Sequence, residues 1–579
     1  MRAPRQQQLA LAEQIEWDLI VIGGGINGAG IARDAALRGL RTLLVERGDW
    51  GSGTTSWSTR LIHGGLRYLE YFEIPLVRES LHERETLLRI APHLVRPLAF
   101  VMPVYAGPNF HTVPILRGRR YSLPDLFMAM LSYDVLSYDK SLPHYKMYSP
   151  SGLRGIEPGL AEEGLRGGAV YYDCQVTFPE RLCLENVLDA AAHGATTLNY
   201  VAAGALQQQD GHVRSVTLHD LLDDTTVTAR GRMVINCAGP WVDRALAELG
   251  VAAQRQIGGT KGTHIIVRSF PGAPQRALYI AAPDDSRQFF IVPWQGLYLI
   301  GTTDSRYDGD LDAVQATQDE VDYLLRSTNA TIPSADLGVD DVLYTYSGVR
   351  PLPYVREGAA GGITRRHVLY DHARHDGLRG LLSVIGGKIT TYRSLAEDTV
   401  DHVCKELGVH TRSRTATTPL PGAAWGDPET ILRTQGPHLH QRYGLDSALV
   451  DHLARLYGAQ LAALLATSGT QAELRQRLAA DVPLIGAQAL YALEHEQAQS
   501  LTDVLFRRTM TSYQPERGLD LIDALAELVG TCLGWSAERR QREVARYHAT
   551  MARLLPRPDE LAATSEAVAV GAASDEHNA

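Results

Sequence analysis

The order of apolar and polar positions divides the chain into three kinds of stretch. Between residues 17 and 46, "WDLIVIGGGINGAGIARDAALRGLRTLLVE" opens with an apolar run from Asp18 to Ile22, short enough to be a buried strand. Helical spacing follows from about Asn27 to Arg38 and stops at Gly39; a second apolar run from Thr42 ends at Glu46. "GRMVINCAGPWVDRAL" (231–246) and "GLLSVIGGKITTYRSLAEDTV" (380–400) repeat the order strand, glycine turn, helix, and 180–201 reads as helix, glycine turn, strand. Residues 70–170 and 250–380 instead carry many short strand-like runs, such as "THIIVRSF", "RQFFIVPW" and "GLYLIGTTD", which predict an antiparallel sheet. From about 427 to 555 the spacing is helical throughout, beyond a Pro/Gly-rich linker at 417–429.

These patterns predict an α/β fold: a Rossmann-type nucleotide-binding domain within 17–425, built mainly from 17–70, 171–250 and 380–403. Interleaved with it is an antiparallel-sheet substrate domain, mainly 71–170 and 251–379. An all-helical domain is expected over 426–556, a short extension over 1–16, and a disordered tail over 557–579, where Ala, Ser and Glu dominate without periodicity.

Gly23, Gly25 and Gly28 form G-x-G-x-x-G between the first strand and its helix. The first glycine allows the tight turn, the second lets backbone approach a pyrophosphate, and the third lets helix and strand pack closely. Phosphates then meet the free N–H groups and positive dipole end of the helix near Ile26 and Asn27. Glu46 is placed to accept hydrogen bonds from ribose hydroxyls, which argues against a 2′-phosphate.

That motif serves NAD and FAD alike. A chain built for NAD would usually continue in further βαβ units, whereas here "GSGTTSWSTR" (51–60) follows. Its small donors, Thr54, Thr55 and Ser58 among them, suit a pyrophosphate and ribityl chain. The turns at Ala238-Gly239 and Gly386-Gly387 each lead into a helix, and the second would aim N–H groups at an electron-rich ring. FAD is therefore the expected cofactor, with Val201 near its adenine end.

Length and charge narrow the class. A chain of 579 residues is too long for one core, and a net charge of −10 excludes a surface built broadly for nucleic acid. Five dispersed cysteines without C-x-x-C suggest reduced thiols, neither a disulfide framework nor a metal site. No signal-peptide core or membrane-spanning run is present, although "ILRGRRYSLPDLFMAMLSYDVLSY" (115–138) places Arg117, Arg119 and Arg120 before an apolar helix. With Phe127, Met128, Met130 and Leu131 that helix could lie in a bilayer interface or in a core.

Seven separated motifs, "DLIVIGGGINGAGIARDAALRG", "RLIHGGLRYLE", "INCAGPWV", "KGTHIIV", "GTTD", "YSGVRPL" and "LLSVIGGKITTYR", together with "LTDVLFRRT" (501–509), resemble the FAD-dependent, membrane-associated, quinone-reducing glycerol-3-phosphate dehydrogenase family. The loop containing Trp57 and the Tyr/Pro-rich stretch from Tyr105 to Tyr148 depart from its pattern. The resemblance implies oxidation of sn-glycerol 3-phosphate to dihydroxyacetone phosphate, with electrons passing through FAD to ubiquinone or menaquinone. It implies a cytoplasmic protein attached peripherally to the inner membrane face, and leaves room for a homodimer. Carried over by motif, Arg67, Tyr68, Arg350 and, less firmly, Arg365 bind substrate, and His264, Arg350, Lys388 and Arg67 serve catalysis. His63, Gly64, Gly65, Gly387, Lys388, Thr390 and Thr391 join the cofactor contacts.

The chemistry suits the residue types. Arginine's planar fork binds phosphate oxygens in pairs. A histidine, His264 or His63, titrates near neutrality and could take the alcohol proton. Lys388 could stabilise a reduced flavin or a developing alkoxide. An oxygen-using oxidase of the same substrate, and an amine or amino-acid oxidase of the same flavin fold, remain the alternatives.

Overall fold

The structure is a computed structural model that describes residues 5–106, 122–285, 287–356 and 363–556. Its first sheet has eight strands. Five of them run parallel in the order Leu381–Ile385, Thr225–Asn236, Glu16–Ile22, Thr42–Glu46 and Thr196–Asn199. Val368–Asp371 adds an antiparallel edge, and the hairpin Val201–Gln209/His212–Asp220 pairs with the first half of Thr225–Asn236. From Leu19 onward the central strand Glu16–Ile22 is apolar on both faces, as a strand covered on both sides must be.

Helix Ile26–Leu37 is buried along almost its whole length, packed between Pro179–Ala192 and Tyr392–Leu407. Its charged side chains are paired inside the protein: Arg33 with Asp189 at 2.6 Å and Arg38 with Asp34 at 2.6 Å. Gly30 is needed because a Cβ there would strike the Tyr392 ring. The expected extension is a helix, Arg5–Gln14, anchored by Arg5 to Asp220 at 2.6 Å.

The second sheet has ten strands and is antiparallel apart from one pairing, Ala277–Ala281 with Val95–Tyr105. Both Leu61–Ile62 and the whole of Leu165–Val176 belong to it. The expected boundaries at 70/71 and 170/171 therefore fall inside the second domain. Chain crossing between two sheets leaves no composition change for a sequence to show.

The C-terminal domain is helical with one two-stranded hairpin, Arg477–Ala479/Val482–Ile485. It is locked to the loop after Glu46. Asp49, fully buried, accepts hydrogen bonds from Arg507 Nε at 2.5 Å and from Arg508 Nη1 and Nη2 at 2.8 Å each. The same domain reaches the second sheet through Tyr513, whose carbonyl accepts from the Tyr344 hydroxyl at 2.8 Å, while its own hydroxyl donates to Glu180 at 3.0 Å beside the buried Arg60–Glu180 pair.

Helix Leu123–Leu136 starts on a Ser122–Asp125 capping box. Leu126, Met130 and Tyr133 face the core, whereas Phe127, Met128, Leu131 and Val135 are exposed. Met130 thus leaves the set expected at an interface, because helical spacing puts it on the face opposite to Met128. Arg117, Arg119 and Arg120 and the 557–579 tail lie outside the described residues, as does part of the divergent Tyr105–Tyr148 stretch. Among the described residues no helix is long and apolar enough to cross a membrane.

Candidate active site

A cavity of about 810 Å³ runs along the carboxyl ends of the parallel strands. The expected residues Gly23, Gly25, Ile26, Asn27, Glu46, Thr54, Thr55, Ser58, Val201, Ala238, Gly239, Gly387 and Lys388 all line it. The backbone is shaped for a close ligand. Gly23 has φ +107 and passes against the Cys237 carbonyl, whereas a Cβ on Gly25 would meet only Thr55 Oγ1, at 3.5 Å. Thr55 Oγ1 in turn accepts from the Ile26 N–H at 3.1 Å, holding the start of the helix.

Glu46 accepts from the Gly24 N–H at 2.6 Å and the Gly48 N–H at 2.7 Å. Burial pushes its carboxyl above the usual range, and those two bonds oppose the shift. The distant 380–400 segment is drawn in by Asn27 Nδ2, which donates to the Gly386 carbonyl at 3.4 Å. Gly386 and Gly387 both have positive φ, at +77 and +91, so this turn has the shape that glycine permits.

Gly28, His63, Gly64, Gly65, Thr390 and Thr391 are not among the residues that line the cavity. A Cβ on Gly28 would overlap the Gly23 carbonyl oxygen, so its task is helix-to-strand packing alone. Thr391 is buried at the start of helix Tyr392–Leu407. Thr390 is spent on His63, accepting from its N–H at 3.2 Å and donating to its carbonyl at 3.3 Å.

At the Lys388 end a second set of residues converges. Arg67 and Tyr68 stand on the short turn Leu66–Tyr71, entered through Gly65 at φ 79. Arg350 ends strand Val342–Arg350, and Lys388 precedes the turn Ile389–Thr391. The Lys388 ammonium lies 4.7 Å from the Tyr68 ring centroid and donates to Ser80 Oγ at 2.9 Å. Arg350 donates to Asp304 at 3.1 Å and to Thr302 Oγ1 at 3.1 Å, and Arg365 shares Asp304 at 3.6 Å. Nη1 of Arg365 is buried and has no hydrogen-bond partner.

The electrostatics agree with a crowd of cations. Burial first, then the nearby Arg365 and Arg67 charges, lower Arg350 against the opposing pull of Asp304. Burial, reinforced by Arg365, brings Lys388 down to about 7 in spite of the Asp173, Glu79 and Glu73 carboxylates. Desolvated cations crowded together are poised for an anion.

The two histidines behave differently from the expected bases. Burial, with the Lys388 and Arg84 charges, lowers His63 to about 3. Burial, with Arg350 and Arg60, lowers His264 well below its ordinary value. His264 Nε2 is 2.9 Å from Thr59 Oγ1, its Nδ1 is buried and unpartnered, and its ring leans on Tyr346 at 4.8 Å. Both rings are therefore neutral near pH 7 in the free protein.

Further residues support the site without a role assigned from sequence. Tyr133 Oη donates to Asp173 at 2.7 Å, Arg84 donates to the same carboxylate at 2.6 Å, and this pair lies under the Gly64 turn, where a Cβ would strike the Tyr133 hydroxyl. Trp57 lines the cavity and packs on Tyr346 at 5.6 Å, with Gly348 leaving room for it.

With this geometry, comparison with known proteins is decisive. A family profile described as FAD dependent oxidoreductase matches residues 18–393. The chain belongs to the FAD-dependent oxidoreductase family. Residues 413–540 match a second profile, the C-terminal domain of alpha-glycerophosphate oxidase. The sequence is 46% identical to a glycerol-3-phosphate dehydrogenase of Synechocystis, over 92% of this chain and 96% of that protein. It is 37% identical to a D-erythritol 1-phosphate dehydrogenase of Brucella abortus, over 86% and 95%. The glycerol-3-phosphate dehydrogenase of Bacillus halodurans, solved with FAD, superposes with a TM-score of 0.76 at 28% identity, covering 95% of this chain and 97% of that one. FAD is thus this oxidoreductase's cofactor, and the glycine cradle, Glu46 and the small hydroxyl donors fit it.

Proposed function

We propose that this flavoprotein oxidises sn-glycerol 3-phosphate to dihydroxyacetone phosphate and passes the electron pair to a membrane quinone, ubiquinone or menaquinone. The convergence of Arg67, Tyr68, Arg350 and Arg365 about Lys388, which lines the cavity, carries the reading. Phosphate is a dianion near pH 7, and a guanidinium fork meets two of its oxygens at once. Arg350 and Arg365, steadied by Asp304, are the rigid part of that clamp. Arg67 and Tyr68 complete it from the Gly65 turn.

Bound flavin supplies a hydride acceptor for the substrate's C2 hydrogen. The protein must remove the hydroxyl proton, and a base works best when its pKa lies near the working pH. Lys388 at about 7 meets that condition better than His264 or His63. We therefore assign proton acceptance to neutral Lys388 Nζ, with Ser80 Oγ holding it in place. His264 remains a neutral hydrogen-bonding group beside Arg350.

The exposed Phe127, Met128, Leu131 and Val135 stripe supports attachment to a bilayer surface. Its helix contacts the Leu66–Tyr71 turn that carries Arg67 and Tyr68, and Phe72, also exposed, follows that turn. This places an apolar surface beside the reacting end, where a lipid-borne quinone would arrive.

A second reading rests on the Brucella relative: a longer polyol phosphate as substrate. The test is a steady-state assay with each phosphate as donor, following quinone-analogue reduction and hydrogen peroxide together. Preference for sn-glycerol 3-phosphate with little peroxide supports the proposal. Preference for D-erythritol 1-phosphate selects the second reading, and dominant peroxide makes oxygen the acceptor.

A further inference from the structure

The last helix of the C-terminal domain, Ala537–Ala552, reaches the cofactor cavity. Arg546, Thr550, Arg553 and Leu554 line it, at spacings that put them on one side of the helix and its end. They belong to none of the strand–turn–helix segments that form the nucleotide cradle.

The contacts of this wall fix which end it closes. Arg546 Nη2 donates to Tyr200 Oη at 3.3 Å, and its guanidinium lies 5.6 Å from the Tyr200 ring centroid. Tyr200 immediately precedes Val201, which lines the cavity with Ala202, Ala203 and Leu221. On the other side, Arg553 Nη2 donates to the Asp312 carbonyl at 2.6 Å. The Asp312 carboxylate pairs with Arg47, the residue after Glu46, and with Arg244 at 2.6 Å. Arg546 therefore stands beside the start of the Val201 strand, and Arg553 is linked through Asp312 and Arg47 to the neighbourhood of Glu46.

The wall is anchored independently of any ligand. The Thr345 N–H donates to the Leu554 carbonyl at 2.7 Å. Tyr200 Oη donates to Asp503, and Asp503 pairs with Arg507 at 2.6 Å inside the lock on Asp49. The helix is thus tied to both sheets at the rim of the cavity.

We propose that the C-terminal domain is a working wall of the FAD site, with Arg546 and Arg553 contacting the adenosine half of the cofactor and retaining it. The guanidinium planes suit an adenine face, ribose hydroxyls or a phosphate oxygen. This inference rests on the FAD site and on no particular substrate, so it stands or falls apart from the proposed reaction.

The test uses full-length apoprotein and fluorescence titration with FAD and, separately, with FMN, which lacks the adenosine half. In Arg546→Ala/Arg553→Ala the affinity for FAD falls about tenfold or more while that for FMN stays within about twofold. Arg539→Ala, on the outward part of the same helix, leaves both unchanged. An unchanged FAD affinity in the double variant overturns the proposal. So does an equal loss for FAD and FMN, which would report a loosened fold.

Discussion

The Lys388 ammonium lies 4.7 Å from the centre of the Tyr68 ring, joining residues separated by most of the nucleotide-binding domain. Cation and ring attract each other at that range. The contact fastens the Gly386-Gly387 turn to the Gly64-Gly65 turn, and burial there lowers Lys388 to about 7. If neutral Lys388 is the base, kcat/KM rises with pH through about 7. Lys388→Met should flatten that limb and lower kcat roughly 10²- to 10⁴-fold. The same shift has a stability consequence. Between about 7 and the ordinary lysine value of 10.5 the unfolded chain holds a proton that the folded one lacks. Folding stability from this group therefore increases with pH across that window and is lost as pH falls through 7. Denaturation of wild type and Lys388→Met at several pH values checks the sign.

Arg350→Lys keeps the charge and loses the paired donors now directed at Asp304 and Thr302. Losing a charge-assisted hydrogen bond costs about 1.5–3 kcal/mol, so KM for the phosphorylated substrate should rise about 10- to 100-fold. Steady-state kinetics measure this, and an unchanged KM would remove Arg350 from the clamp.

Much of the nucleotide cradle was legible because its logic is local. A glycine triplet, a following helix and Glu46 occur within one short segment, and each glycine has a steric reason that a single chain segment can show. The motif gives the turn at Thr390 and Thr391, but not that both threonines are buried, Thr390 bonded to His63. The cation cluster was legible only by resemblance, since Arg67, Arg350 and Lys388 meet through three separate elements. Tyr133 and Arg546 left no sequence signal, and Asp304, although it ends the GTTD motif, showed no role there, because each acts through a partner that only the folded chain brings near. The depressed histidines were unreadable for the same cause, as burial and neighbouring arginines set them.

Gly28→Ala should produce a protein without bound flavin. The new methyl group would meet the Gly23 carbonyl oxygen, which is backbone and cannot rotate aside. The visible flavin spectrum of the purified variant is the readout, and wild-type flavin content would contradict the packing argument.

Asp49 lies between Arg507 and Arg508, which hold its carboxyl far below the ordinary 3.8 against burial. Its contribution to stability is present above that ordinary value and is lost as pH falls below it. Asp49→Asn should cost about 3–5 kcal/mol, because buried Arg508 loses its counter-charge and Arg507 is left with Asp503 alone. Denaturant unfolding at neutral pH and at a pH well below 3.8, near 2, would show the gap between wild type and variant narrowing in acid.

Replacing Phe127, Met128 and Leu131 by Ser removes exposed apolar surface while leaving Leu126, Met130 and Tyr133 in the core. Co-sedimentation with vesicles should fall several-fold, with anaerobic reduction of the bound flavin by substrate unchanged. Undiminished sedimentation would place the attachment elsewhere.

The most direct measurement is the flavin absorption of the purified wild-type protein, titrated without oxygen with sn-glycerol 3-phosphate. The visible band should bleach in proportion to added substrate, and unphosphorylated glycerol should leave it intact because nothing would engage the Arg67, Arg350 and Arg365 clamp. A flavin that stays oxidised at saturating sn-glycerol 3-phosphate, or that glycerol bleaches equally well, would contradict the account.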